Sequence, residues 1–179
     1  ATETPRESFE FSARLRLPGQ ISASERAAFV ERMIRLLNLE ACADSRIGSE
    51  LDKGLSGGEQ KRTAVGVELI SNPSTIFLDE PLSGLDTYNA FTLVKVLKRL
   101  TASGVGVMMT LHQPSSEIFE ELDDVLVLGK FDDDGAGHSG AVCFHGPKER
   151  LGVHFASLGF HVPPNHNPAD FVMFLIQKE

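Results

Sequence analysis

Between residues 74 and 110 the chain runs through an apolar strand, an amphipathic helix and a second apolar strand, and no other feature restricts its fold as much. Ser74-Thr75-Ile76-Phe77-Leu78-Asp79-Glu80 is introduced by Asn72-Pro73 and ended by acids and Pro81, which reads as a buried strand. A helix follows from about Thr87 to Ser103, with Phe91, Val94, Leu97 and Leu100 on one side, Asp86 as its N-cap and Gly104 as its stop. Val105 to Thr110 supplies the second strand. Strands joined through a helix in this way pair in parallel, so the segment predicts a βαβ unit and an α/β sheet covered by helices.

The flanking segments differ in texture. Ser22 to Leu39 has apolar residues at helical spacing, Phe29, Val30, Met33, Ile34 and Leu37, behind a Ser22/Glu25 capping box. Glu7 to Leu17 predicts an earlier helix stopped by Pro18-Gly19, so the first third is mainly helical. After the βαβ unit, a short helix at Ser115 to Leu122 leads to a third strand, Asp124 to Leu128. A loop from Phe131 to Gly140 then joins it to Ala141 to His145, the return arm of a hairpin. Two more helices close the chain, one from about Pro147 to Leu158 and one opened by Asn167-Pro168.

Composition narrows the function. The 179 residues are 41% hydrophobic and 23% charged, as in an ordinary globular protein. The apolar run Phe171 to Ile176 falls far short of the roughly 20 residues a membrane-spanning helix needs. A net charge of -8 argues against nucleic acid as the main partner, because that affinity rests on Lys and Arg neutralising phosphates. Cys42 and Cys143 match no metal or redox spacing, which favours two reduced thiols, with one disulfide as the alternative. The start at Ala1, with no Met and no charged-then-apolar leader, reads like a piece of something longer without a signal peptide.

Three stretches carry chemistry. Leu55-Ser56-Gly57-Gly58-Glu59-Gln60-Lys61-Arg62 runs into a helical pattern, and Ser-Gly-Gly at a helix start lets N–H groups and a hydroxyl approach an anion. Taken alone, the same residues are more simply a Ser56/Glu59 capping box with a glycine turn, and both readings can hold together. Thr75 to Pro81 delivers two adjacent carboxylates, Asp79 and Glu80, at the C-terminal end of a strand, where ligands bind in open α/β sheets. One can hold Mg²⁺ through its water shell while the other positions or deprotonates a water; the plainer alternative is a solvated acidic turn. His112 follows the second strand and can donate to a phosphate oxygen, although a lone histidine is usually only a loop residue. Ser83-Gly84-Leu85-Asp86, between these stretches, could be a turn and an N-cap.

The order of these stretches resembles the second half of an ATP-binding cassette (ABC) nucleotide-binding domain. The likeness extends to the G-type subfamily of white-eye and pleiotropic drug resistance transporters through Glu7 to Leu17, Arg62 to Leu69, Thr110 to Phe119, Gly146-Pro147 and Asn167 to Phe171. That resemblance implies a partial P-loop NTPase-like (RecA-like) parallel core with a helical subdomain, the division falling at 72/73. It implies ATP and Mg²⁺ as cofactors. Ser56, Gly57, Gly58 and Glu59 would form the signature motif, reaching the γ-phosphate of ATP held by the opposite subunit of a head-to-tail dimer. Asp79 would support Mg²⁺, Glu80 would act on the attacking water, and His112 would be the switch histidine. Ser83, Gly84 and Asp86 would form the loop that communicates across the dimer; Leu82 stands where Thr is commonly seen. The implied partners are a second nucleotide-binding domain and a C-terminal membrane domain, with no nucleic acid, at the cytoplasmic face of a membrane.

The 179 residues hold no P-loop. The single Gly-Lys, Gly129-Lys130, is followed by Phe131 and has Asp124 where the first glycine belongs. Two alternatives therefore stand beside an ATPase domain: a non-catalytic half acting in binding or assembly, and a soluble ABC ATPase outside transport. Asp132-Asp133-Asp134-Gly135 is not a calcium loop, because Cys143 falls at the twelfth position, and the other histidines lack zinc spacing.

Overall fold

The computed structural model describes residues 3–48, 54–133, 137–164 and 166–177. They fall into two compact units, residues 1–111 and 112–179.

The first unit begins with two capped helices. Pro5–Arg16 forms α1, where Thr4 Oγ1 accepts from the Glu7 N–H at 3.2 Å and Glu7 returns the bond to the Thr4 N–H at 2.9 Å. Ala23–Leu36 forms α2 behind the expected Ser22/Glu25 box. After a short 3₁₀ turn, Glu40–Cys42, the chain reaches Gly57–Leu69, which forms α3, again boxed, by Ser56 and Glu59. Each box satisfies helix N–H groups that otherwise have no acceptor. Glycine sets the spacing of this bundle. A Cβ on Gly66 would lie 2.3 Å from Phe9 Cζ and 2.5 Å from Leu37 Cδ1, so α1 and α2 press directly on the α3 backbone. Ser12 Oγ donates to the Val67 carbonyl at 3.2 Å, and Arg16 pairs with Glu68, which fixes α1 along α3.

The βαβ unit is as expected. Thr75–Leu78 (β1) and Gly106–Met109 (β2) pair in parallel, Thr75 opposite Gly106 and Leu78 opposite Met109, across helix α4, Thr87–Ala102. Leu93, Val96, Leu97 and Leu100 of α4 join Ile76, Phe9, Ile34 and Leu37 in one core, so the division at 72/73 does not separate two cores. The expectation that β1 is buried is corrected. Ile76 faces α4 and is buried, but Phe77 is 74% exposed and Met108, its opposite number, 59%. Alternation turns Phe77 and Met108 to the face that α4 does not cover.

In the second unit a short helix, α5 (Ser116–Glu120), precedes an antiparallel hairpin of β3 (Asp124–Asp133) and β4 (Gly137–Pro147). The ladder runs to Asp133 opposite Gly137, so the predicted loop from 131 to 140 is mostly strand; residues 134–136 lie outside the described residues. The register slips between Val127 and Leu128, leaving Cys143 without a partner in the ladder, which is a β-bulge. Helices α6 (Lys148–Ser157) and α7 (Pro168–Gln177) pack Leu151, Phe155 and Val172 against Phe119, Val127 and Phe144. Asn167 ties this end together, accepting from the Ala169 N–H at 3.0 Å and donating to the Pro114 carbonyl at 2.8 Å. Among the described residues no helix is long and apolar enough to cross a membrane.

Candidate functional site

The signature-like stretch stands at the N-terminus of α3. The Ser56 hydroxyl donates to Glu59 Oε2 at 2.8 Å and accepts from the Glu59 N–H at 3.4 Å, so the cap already engages it. Gly57 and Gly58 occupy the first helical positions, where N–H groups have no intrahelical acceptor. Burial of Glu59 opposes its ionisation. Bonds from the Ser56 hydroxyl and N–H and from Cys42, with Arg62 close by, outweigh that and hold the carboxyl below the usual range. The same neighbourhood raises the Cys42 thiol to about 11, through burial first and then the Glu59 charge. Arg62 is 6% exposed, and its Nε and Nη1 have no hydrogen-bond partner among the described residues.

The Ser83 to Asp86 segment lies against this helix start. A Cβ on Gly58 would fall 2.3 Å from Asn89 Oδ1, and one on Gly57 would meet Leu85 at 3.6 Å. Asn89 cannot easily move aside. Its N–H donates to Asp86 Oδ1 at 3.0 Å and its amide to Asp86 Oδ2 at 2.6 Å, bonds that also hold the Asp86 carboxyl below its ordinary range. Gly84 takes φ +76°, a left-handed turn with open space where a side chain would stand. The structure therefore brings Gly57 and Gly58 together with the Leu85–Asn89 stretch, two regions some 30 residues apart in the chain.

Asp79 and Glu80 leave the C-terminal end of β1 into solvent. Glu80 has φ +42°, the left-handed region that costs a residue with a Cβ about 1–3 kcal/mol. Both of its peptide groups are held: its N–H donates to Thr110 Oγ1 at 2.8 Å, and its carbonyl accepts from the Ser83 N–H at 3.1 Å. The Thr110 hydroxyl in turn donates to Asp79 Oδ1 at 2.7 Å. The Glu80 carboxylate has no hydrogen bond or ion pair among the described residues and is exposed. His112 is exposed and opens the second unit. Thr110 and Asn89 are the residues that motif reading missed. Position was the available signal for each: a Thr closing the strand beside the carboxylates, and an Asn three residues after an Asp cap.

Chemically, the site offers free helix N–H groups suited to an anion, a carboxylate with one oxygen free for a hard cation, and a second, exposed carboxylate on the next residue, whose backbone is tied. Residues 2–83 match the family model described as ABC transporter, and residues 112–177 the one described as ABC-2 type transporter. The chain is 41% identical over 178 residues to the broad substrate specificity ATP-binding cassette transporter ABCG2 of Rattus norvegicus, covering 99% of this chain and 26% of the relative. It is 41% identical to ATP-binding cassette sub-family G member 8 of Homo sapiens (96% of this chain, 24% of the relative) and 38% identical to ABC transporter G family member 28 of Arabidopsis thaliana (97% and 15%). It thus spans about a quarter or less of the length of these curated relatives. Among solved structures, a dimeric ATP-binding cassette in a post-hydrolysis state bound to ADP and Pi is similar with a TM-score of 0.54 and 25% identity, covering 69% of this chain and 51% of that one. With transporter models matching both units and G-type relatives matching nearly every residue, the chain belongs to the ATP-binding cassette transporter family, in its G-type branch.

Proposed function

We propose that this chain supplies the signature and hydrolytic carboxylates of an ATP-driven transporter. The observation that carries the reading is the Asp79–Thr110–Glu80 cluster at the end of β1, where one hydroxyl ties the Asp79 carboxylate to the Glu80 backbone. Asp79, with Oδ2 uncommitted, would hold Mg²⁺ through the ion's water shell. When bound, Mg²⁺ would neutralise charge on the phosphates of ATP. Glu80 would orient the attacking water and take its proton. Gly57 and Gly58 would direct their N–H groups at the γ-phosphate of an ATP held by a second nucleotide-binding domain, while Ser56 and Glu59 keep those groups in place through the capping box. Ser83, Gly84 and Asp86 would carry the state of one site to the other, and His112 would contact the γ-phosphate.

In this reading the ATPase sits on the cytoplasmic face of a membrane and drives an attached membrane domain, with closure on ATP and reopening on hydrolysis. The 179 residues by themselves neither bind Mg-ATP appreciably nor hydrolyse it, because they hold no lysine-bearing phosphate loop. The test of the catalytic assignment is Glu80→Gln in the full-length protein. ATP binding persists and turnover is abolished; near-normal turnover removes Glu80 from its role.

A further inference from the structure

We propose that Thr110 is a positioning residue for hydrolysis, setting the Asp79 carboxylate and the Glu80 backbone together through one hydroxyl. The inference rests on the reading of Asp79 and Glu80 as the metal-supporting and water-directing groups. A threonine hydroxyl has one proton and two lone pairs. Here the proton goes to Asp79 Oδ1, 2.7 Å away, and a lone pair receives the Glu80 N–H, 2.8 Å away. The hydroxyl is itself well anchored. Thr110 continues β2 by one residue, its N–H donating to the Leu78 carbonyl at 3.0 Å, and β-branching restricts its χ1.

The Asp79 carboxylate and the Glu80 peptide are thereby held from the neighbouring strand as well as from their own loop. For Glu80 this matters most, because its left-handed φ of +42° is a conformation a glutamate leaves unless its peptide groups are tied. Thr110 ties the N–H and Ser83 the carbonyl, which together fix the Glu80 backbone and the direction in which its Cα–Cβ bond leaves it. Among the described residues the hydrogen bonds of Thr110 go to Leu78, Asp79 and Glu80, so its removal acts on metal use and turnover and leaves ATP affinity in place.

The experiment compares Thr110→Val, which keeps the shape and deletes the hydroxyl, with Thr110→Ser, which keeps the hydroxyl, in the full-length protein. Thr110→Val lowers kcat and raises the Mg²⁺ concentration for half-maximal activity, each by about 10–100-fold, the usual cost of losing an outer-shell partner, while the KM for ATP stays within about twofold. Thr110→Ser restores both to within about threefold of the parent on the same scale. Hydrogen exchange of the Glu80 amide, followed without nucleotide or Mg²⁺, speeds up by about tenfold in Thr110→Val and not in Thr110→Ser, since only the valine removes its acceptor. Should Thr110→Val not fold, Thr110→Ala replaces it with the same expectations. A valine variant with parental kcat and Mg²⁺ dependence, or a serine variant as impaired as the valine, overturns the proposal. Glu80→Gln is run alongside. If it abolishes turnover while Thr110→Val does not change it, the positioning role alone fails; if Glu80→Gln keeps turnover, the underlying catalytic reading fails.

Discussion

At the scale of single residues, the site depends on close approaches that tolerate little substitution. Gly58 is the sharpest case, because a Cβ there would fall 2.3 Å from Asn89 Oδ1 and 2.9 Å from Asn89 Cβ. Asn89 is pinned by both oxygens of Asp86, so the clash has no cheap release. Gly58→Ala is therefore expected to lower stability by about 1–3 kcal/mol, the cost of overpacking, and to disturb the cap of α4. Chemical denaturation of the variant checks this, and an unchanged midpoint would show that Asn89 yields freely. Gly57, next to it, has ordinary clearance to Leu85 at 3.6 Å, which makes Gly57→Ala the matched control.

At the scale of elements, helix starts do much of the positioning. The boxes at Ser22/Glu25 and Ser56/Glu59 both hold their glutamates below the ordinary carboxyl range. For such groups the contribution to stability is complete above the unfolded pKa of about 4.3 and is lost as pH falls through the lower folded value. The urea midpoint should thus fall between pH 5 and pH 3, and Glu59→Gln should make that fall shallower. An equal slope in the variant would mean that Glu59 contributes nothing through ionisation. The boxes were legible beforehand because Ser-x-x-Glu is a local pattern, complete within four residues. The exposure of Phe77 was not legible, since an apolar strand reads the same whether one of its faces is covered or both.

At the scale of the whole molecule, the chain is two compact units, each with its own core, and each matching a transporter model. The first carries the signature-like helix start and the carboxylates, and it has no phosphate loop of the Gly-x₄-Gly-Lys type. Titration calorimetry of the purified 179-residue chain with Mg-ATP should therefore show no appreciable heat of binding. Micromolar affinity would mean that this half holds nucleotide without a lysine cradle, and would move the function toward a different kind of site.

The order of the motifs and the type of nearly every element were determined by sequence, because each depends on contacts within a few residues: Ser22 on Glu25, Asp86 on Asn89, and β1 and β2 on their own apolar runs. Only the tertiary structure decided how the functional groups are held. Thr110 reaches Asp79 and Glu80 across 31 and 30 positions, Gly58 meets Asn89 across the same span of chain, and Gly66 admits Phe9 from α1 and Leu37 from the end of α2. Those relations are distances through space, set by how strands pair and helices pack, and no local pattern of residues encodes them.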